Sequence, residues 1–119
     1  QMCIRDSNQE ADLVITGEGR IDRQTLFGKV PVGIAHIAAS QHIPVIAITG
    51  QVETDAETDK QLLQAGLSAI FPIHPAPVSL EEAMHPNYAF RNIRRTIEQT
   101  CRTLLIFVNK KDINTDHKI

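Results

Sequence analysis

The residues in this sequence that could do chemistry crowd into one stretch. Thr16-Gly17-Glu18-Gly19-Arg20-Ile21-Asp22-Arg23-Gln24-Thr25 leads through Leu26, Phe27 and Gly28 to Lys29-Val30-Pro31. Glu18, Arg20 and Asp22 alternate with or follow two glycines, and Lys29 lies just beyond. Acids and bases gathered around glycines suit an anionic ligand, with or without a metal. Gly17 and Gly19 allow close backbone approach and left-handed dihedrals. The two familiar phosphate cradles are absent. A dinucleotide fingerprint requires Gly or Ala where Asp22 stands, and a P-loop requires Ser or Thr after Gly28-Lys29, where the chain has Val30. The plain alternative is a polar strand-to-helix loop with glycine turns, its Arg20 ion-paired to Glu18 or Asp22. Structural ion pairs of that kind imitate functional sites.

Elements that would position this stretch are legible on either side of it. Ala11–Thr16, Pro44–Thr49 and Ala69–Ile73 are short apolar runs, the first two apolar on both faces. Strands buried on both faces belong to parallel sheets. Helical patterns alternate with them. Val30, Ile34, Ile37 and Ala38 mark one face of a helix beginning near Pro31, and Pro is tolerated in a first helical turn. Glu57–Ala65 predicts a second helix stopped by Gly66. Ser79-Leu80-Glu81-Glu82 is a capping-box pattern for a short helix to about Met84. From Asn87 a longer helix shows Ala89, Ile93, Ile97, Cys101, Leu104 and Val108 at spacings of three and four. The expected class is α/β: a three-layer, Rossmann/flavodoxin-like parallel sheet with helices on both faces. Ligands of such sheets bind beyond the carboxyl ends of the strands, where Gly17–Asp22 falls.

The chain has 119 residues, 42% hydrophobic and 22% charged, with a formal net charge of −2. That is the size of one domain with a real core. No basic patch suggests nucleic acid. No apolar run reaches the ~18 residues of a membrane span. Cys3 and Cys101 are too few for a disulfide framework, so a reducing cytoplasmic setting is expected.

Asp12-Leu13-Val14-Ile15-Thr16-Gly17-Glu18-Gly19-Arg20-Ile21-Asp22, followed by Gln24-Thr25, Gly28-Lys29-Val30-Pro31 and Gly33, closely resembles the signature of type I glycerate kinases. Pro44–Ala47 with Gly50, Ala65-Gly66, Ala69–Phe71, Ile73 and Pro77–Met84 extend the resemblance, which covers about 11–108. It implies transfer of phosphate from ATP to D-glycerate, dependent on Mg²⁺, in an enzyme of two α/β domains with a cleft between them. The chain would then be the carboxyl-terminal part of that fold. The missing amino-terminal part and second domain would be its partners. The sheet is expected to be incomplete, with an exposed edge prone to self-association. Residues 1–10 fit no family pattern and are expected to be a non-native or disordered leader. Residues 109–119 are expected to form a polar tail.

Phosphoryl transfer requires charge neutralisation and a positioned hydroxyl. Under the resemblance, Arg20 grips a carboxylate or phosphate through its planar fork, and Lys29 adds a second point charge. Glu18 and Asp22 are candidate Mg²⁺ ligands, direct or through water. Asp22 is the preferred base, its plain alternative being an ion pair with Arg20 or Arg23. Thr16, Gly17 and Gly19 would contribute backbone contacts, and Gln24 and Thr25 amide and hydroxyl contacts. Gln51 reads as a turn residue, and no His or Cys cluster has metal spacing. Two readings compete. One is a non-catalytic α/β module binding a nucleotide or sugar phosphate, which would gain nothing from acids beside its anion. The other is an inactive truncated fragment; even as part of a kinase, this chain alone is expected to be inactive.

Overall fold

The computed structural model describes residues 2–5, 11–27 and 30–116. They form two compact units, 1–75 and 76–119. The first holds a sheet of order β1-β2-β3-β4. Its strands are β1 (Met2–Arg5), β2 (Ala11–Asp22), β3 (Val45–Glu53) and β4 (Leu67–Pro72). Helices α1 (Val30–Ser40) and α2 (Ala56–Gln64) make the crossovers, and a 3-10 turn, Arg23–Leu26, follows β2. β2, β3 and β4 run parallel: Ile15 lies beside Ile46, and Ile46 beside Ala69. This is the expected α/β arrangement.

Two right-handed crossovers stepping the same way along a sheet place both helices on one face. Accordingly, Val32, Ala35 and Ala38 of α1 and Leu62 of α2 share one buried cluster with Val14, Val45, Ala47 and Leu67. The face of α1 differs from the expected one. Ile37 is 67% exposed, and the buried row is Val32, Ala35 and Ala38, spaced three apart. At Ala35 the space is tight because the backbone of Gly66 presses there, while Ala38 of the expected face is buried and Ile34 packs partly buried against the core. A Cβ on Gly66 would stand 2.6 Å from the Ala35 carbonyl oxygen.

Gly66 has φ +110° and ends α2 where the sequence placed the stop. At the end of α1, His42 does the same job with φ 58°. Ile43 N–H donates to the Ala38 carbonyl at 2.9 Å and His42 N–H to that of Ala39 at 3.1 Å, the paired bonds of a Schellman cap. A non-glycine in that conformation is strained.

Four boundaries depart from expectation. β2 continues through Gly17–Asp22 instead of turning, and β3 continues through Gly50 and Gln51 to Glu53. Among the described residues, neither Gly17 nor Gly19 has a positive φ. Part of the expected leader, Met2–Arg5, forms a strand antiparallel to β2, with Cys3 opposite Val14; residues 6–10 lie outside the described residues. In the second unit, α3 (Leu80–Ala83) is capped by Ser79, whose Oγ accepts from Glu82 N–H at 3.2 Å. α4 (Pro86–Asp116) runs on through most of the expected tail. Ile93, Leu104 and Val108, expected on its apolar face, are exposed. No helix among the described residues is long and apolar enough to cross a membrane.

Two backbone sites should respond oppositely to substitution. His42→Gly should stabilise by about 1 kcal/mol by relieving the left-handed strain. Gly66→Ala should destabilise by about 2 kcal/mol or more. Urea unfolding with unchanged m-values measures both.

The amino end of α2 titrates. Asp55 accepts from Thr58 N–H at 2.8 Å. Hydrogen bonding to Thr58, through its side chain and then its backbone, holds the Asp55 carboxyl below its ordinary 3.8. A depressed carboxyl stabilises the fold above its unfolded value and loses that contribution as pH falls through the folded one. Asp55→Ala should therefore lower the melting temperature at neutral pH, and the gap from wild type should narrow as pH drops below 3.8. The gap between Asp55→Asn and Asp55→Ala should not change over that range, because Asn caps without titrating.

Candidate functional site

The site is built by two adjacent strands. β2 and β3 keep one register from Val14 beside Val45 to Asp22 beside Glu53. Val14 and Ile21 both belong to the helix-side cluster, although their separation is odd and a regular strand would turn them to opposite faces. The alternation therefore switches once between them. Gly19 faces Gly50 at the one step where the paired register is interrupted. A Cβ on Gly50 would meet the Gly19 carbonyl oxygen at 3.0 Å. We place the switch at this glycine pair. Past it, Ile21 is fully buried, and Arg20 and Asp22 project from alternate positions to it.

Arg20 is the hub. Its Nε donates to Asp22 Oδ2 at 3.0 Å and its Nη2 to Glu53 Oε2 at 2.5 Å. Asp22 is itself fixed. Its Oδ1 accepts from Gln24 N–H at 2.8 Å, and its own N–H donates to Thr25 Oγ1 at 3.0 Å, closing a capping box on the 3-10 turn. Among the described residues the Glu53 carboxylate is held only by side chains, accepting also from Gln51 Nε2. Thr49 Oγ1 donates to the Gln51 carbonyl at 3.1 Å. The Arg20 side chain is 52% exposed, so its pairs are worth at most about 1 kcal/mol each. Their effect is orientation: the guanidinium is fixed at the carboxyl end of a parallel sheet, with Nη1 unpartnered among the described residues.

The expected site residues distribute unevenly. Arg20 and Asp22 meet. Glu18 is half-buried and makes no hydrogen bond or ion pair among the described residues. Four residues of extended strand set it roughly 13 Å from Asp22 along the chain. Glu18 and Asp22 thus do not converge on one cation, and the described residues contain no group of three His, Cys, Asp or Glu side chains able to hold a metal. Thr16 is buried and Gly17 and Gly19 are exposed. Thr25 is buried as a capping residue, and Gln24 contributes its backbone N–H. Lys29 lies outside the described residues. Glu53 was missed, and Gln51, read as a turn residue, is in a strand. The signal for both was the alternation Gln51-Val52-Glu53, which continues a strand beyond Gly50.

A family model described as "Glycerate kinase family" matches residues 1–105. The "Glycerate kinase" of Bacillus subtilis is 44% identical over 96 residues, 81% of this chain and 23% of that protein. The "Glycerate 2-kinase" of Escherichia coli is 40% identical over 103 residues, 87% of this chain and 26% of that protein. A "Glycerate kinase" of Haemophilus influenzae is 46% identical over 73 residues, 61% of this chain and 18% of that protein. The chain therefore spans about a quarter of the length of the first two. A match of that model over most of the length shows that the chain belongs to the glycerate kinase family.

Proposed function

We propose that this chain is one part of a glycerate kinase that transfers the γ-phosphate of ATP to D-glycerate, and that Arg20 grips an anionic group of one of the two substrates. The observation that carries the reading is the fixed guanidinium at the end of β2, held side-on by Asp22. Phosphoryl transfer depends on positioning and on charge stabilisation more than on covalent chemistry. A pre-oriented arginine supplies both without reorganising during the reaction. Asp22 is the orienting group for Arg20; to serve as base it would have to share oxygens that already accept from Arg20 and Gln24. Family membership supports the reaction class. The relatives' printed names support glycerate as the acceptor.

Mg²⁺ would neutralise phosphate charge in such a reaction. Glu18 and Asp22 do not fit it as a joint pair of ligands, because the strand holds them apart. Thr16, Gly17 and Gly19 remain proposed backbone contacts to a ligand, with the two glycines open to solvent. Lys29 remains a proposed second charge, and a cytoplasmic location goes with this reading.

Two measurements test the proposal. In the complete enzyme, Arg20→Ala should lower kcat/KM for glycerate or ATP on the order of 10²-fold, with little change in melting temperature. Arg20→Lys should restore activity only in part, since it lacks the planar fork. Near-normal kinetics for Arg20→Ala would sink the clamp, and a large drop in melting temperature would make Arg20 a structural residue. The isolated 119-residue chain should show little or no glycerate phosphorylation in a coupled ADP-release assay. Small misplacements of catalytic groups already cost about 10²-fold, and this chain is a fraction of its relatives. Robust turnover by the chain alone would overturn this.

A further inference from the structure

The Nε and Nη2 donors form the side of a guanidinium that best receives a carboxylate or phosphate through two parallel bonds. On Arg20 that side is already divided between two carboxylates. Nε is held by Asp22, whose other oxygen is anchored on the backbone of Gln24. Nη2 is held by Glu53, whose carboxylate no backbone group among the described residues holds and whose side chain is 49% exposed. The two holders therefore differ: Asp22 is built into the strand end, and Glu53 can swing away. Glu18, Asp22 and Glu53 also outnumber the one cation on the paired segments 18–22 and 49–53, so an incoming anion meets more negative charge while Glu53 is in place than after it has swung away.

We infer that Glu53 is an internal stand-in for the anionic ligand: its carboxylate occupies the Nη2 position on Arg20 that a substrate carboxylate or phosphate takes, and it must be displaced for that ligand to bind. The inference rests on the anion-gripping reading of Arg20. Glu53 acts on affinity through competition and has no part in the chemical step. Gln51 is its parking residue: it donates to Glu53 and stands beside Arg20 in the strand register. The ligand class is a small carboxylate or phosphate. Glycerate and inorganic phosphate serve as separate probes to tell which.

The test is an NMR titration of the full 119-residue chain, following the backbone amides of β2 and β3 with D-glycerate and with inorganic phosphate at constant ionic strength. Removing an exposed ion-pair partner corresponds to an affinity gain of up to about three- to fivefold. Glu53→Gln should therefore tighten binding of the preferred probe by that factor. Gln51→Ala, which loosens Glu53 without changing charge, should shift affinity in the same direction by less, and it provides a second reading if Glu53→Gln fails to fold. Glu81→Gln removes the same charge elsewhere and should leave affinity unchanged. Arg20→Ala should abolish saturable binding. Arg20-dependent binding that Glu53→Gln weakens or leaves unchanged overturns the stand-in role alone, because Glu53 would then position Arg20 or do nothing. Binding that survives Arg20→Ala, or no saturable binding by any variant, overturns both this inference and the anion grip.

Discussion

The register between β2 and β3 is the constraint on which the rest of this unit depends. The two strands stay in step from Val14 beside Val45 to Asp22 beside Glu53, and they do so across a point where their backbones come close. A side chain at the Gly50 position would crowd the partner strand, because the Gly19 carbonyl oxygen lies 3.0 Å from where its Cβ would stand. That contact lets the strands exchange faces without parting. Ile21 thereby reaches the core while Arg20 and Asp22 on either side of it stay accessible. A loop at this place could supply the same residue types, but not a guanidinium held in a single orientation.

The economy of the site lies in Asp22. One carboxylate ends the strand, caps the turn and aims the arginine, so local folding and the proposed ligand recognition share a side chain. Substituting Asp22 therefore cannot separate the two roles, whereas Arg20 and Glu53, both half-exposed, can be changed with little consequence for packing. The charges around Arg20 are arranged for selection as much as for attraction. If Arg20 grips an anion as proposed, that anion would have to displace a resident carboxylate, which would disfavour weak, nonspecific ions relative to ligands that engage more of the site.

The sequence told more about the class of the fold than about the shape of the site. Two-sided apolar runs at Leu13–Thr16 and Val45–Thr49 announced parallel strands, and Gly66 and Ser79 announced helix boundaries, because each of those signals is local. The charged stretch was misread as a loop because Gly17 and Gly19 resemble turn glycines. In fact they serve an extended backbone. The alternation Glu18-Gly19-Arg20-Ile21-Asp22 and its counterpart Gln51-Val52-Glu53 carried the strand signal, but polar alternation at a strand end looks the same as a solvated loop. The partnership of Arg20 with Glu53 depends on strand register, which no spacing within one segment encodes. The buried row of α1 was displaced for a similar reason: Ala35 is favoured over Ile37 only because Gly66, far along the chain, packs there.

An uninterrupted extended segment also behaves like a ruler. Between the core residue Val14 and the cap residue Asp22, every position has an assigned neighbour on β3 apart from the glycine step. Exchanging one side chain for another alters one rung. Adding or deleting a single residue would shift all the rungs beyond it, turning Ile21 outward and driving a charge toward the core. This part of the molecule should accordingly tolerate drift in residue identity far better than any change in length. Insertions that diversify a protein such as this one should collect after Phe27 or beyond Glu53, where no partner strand keeps count.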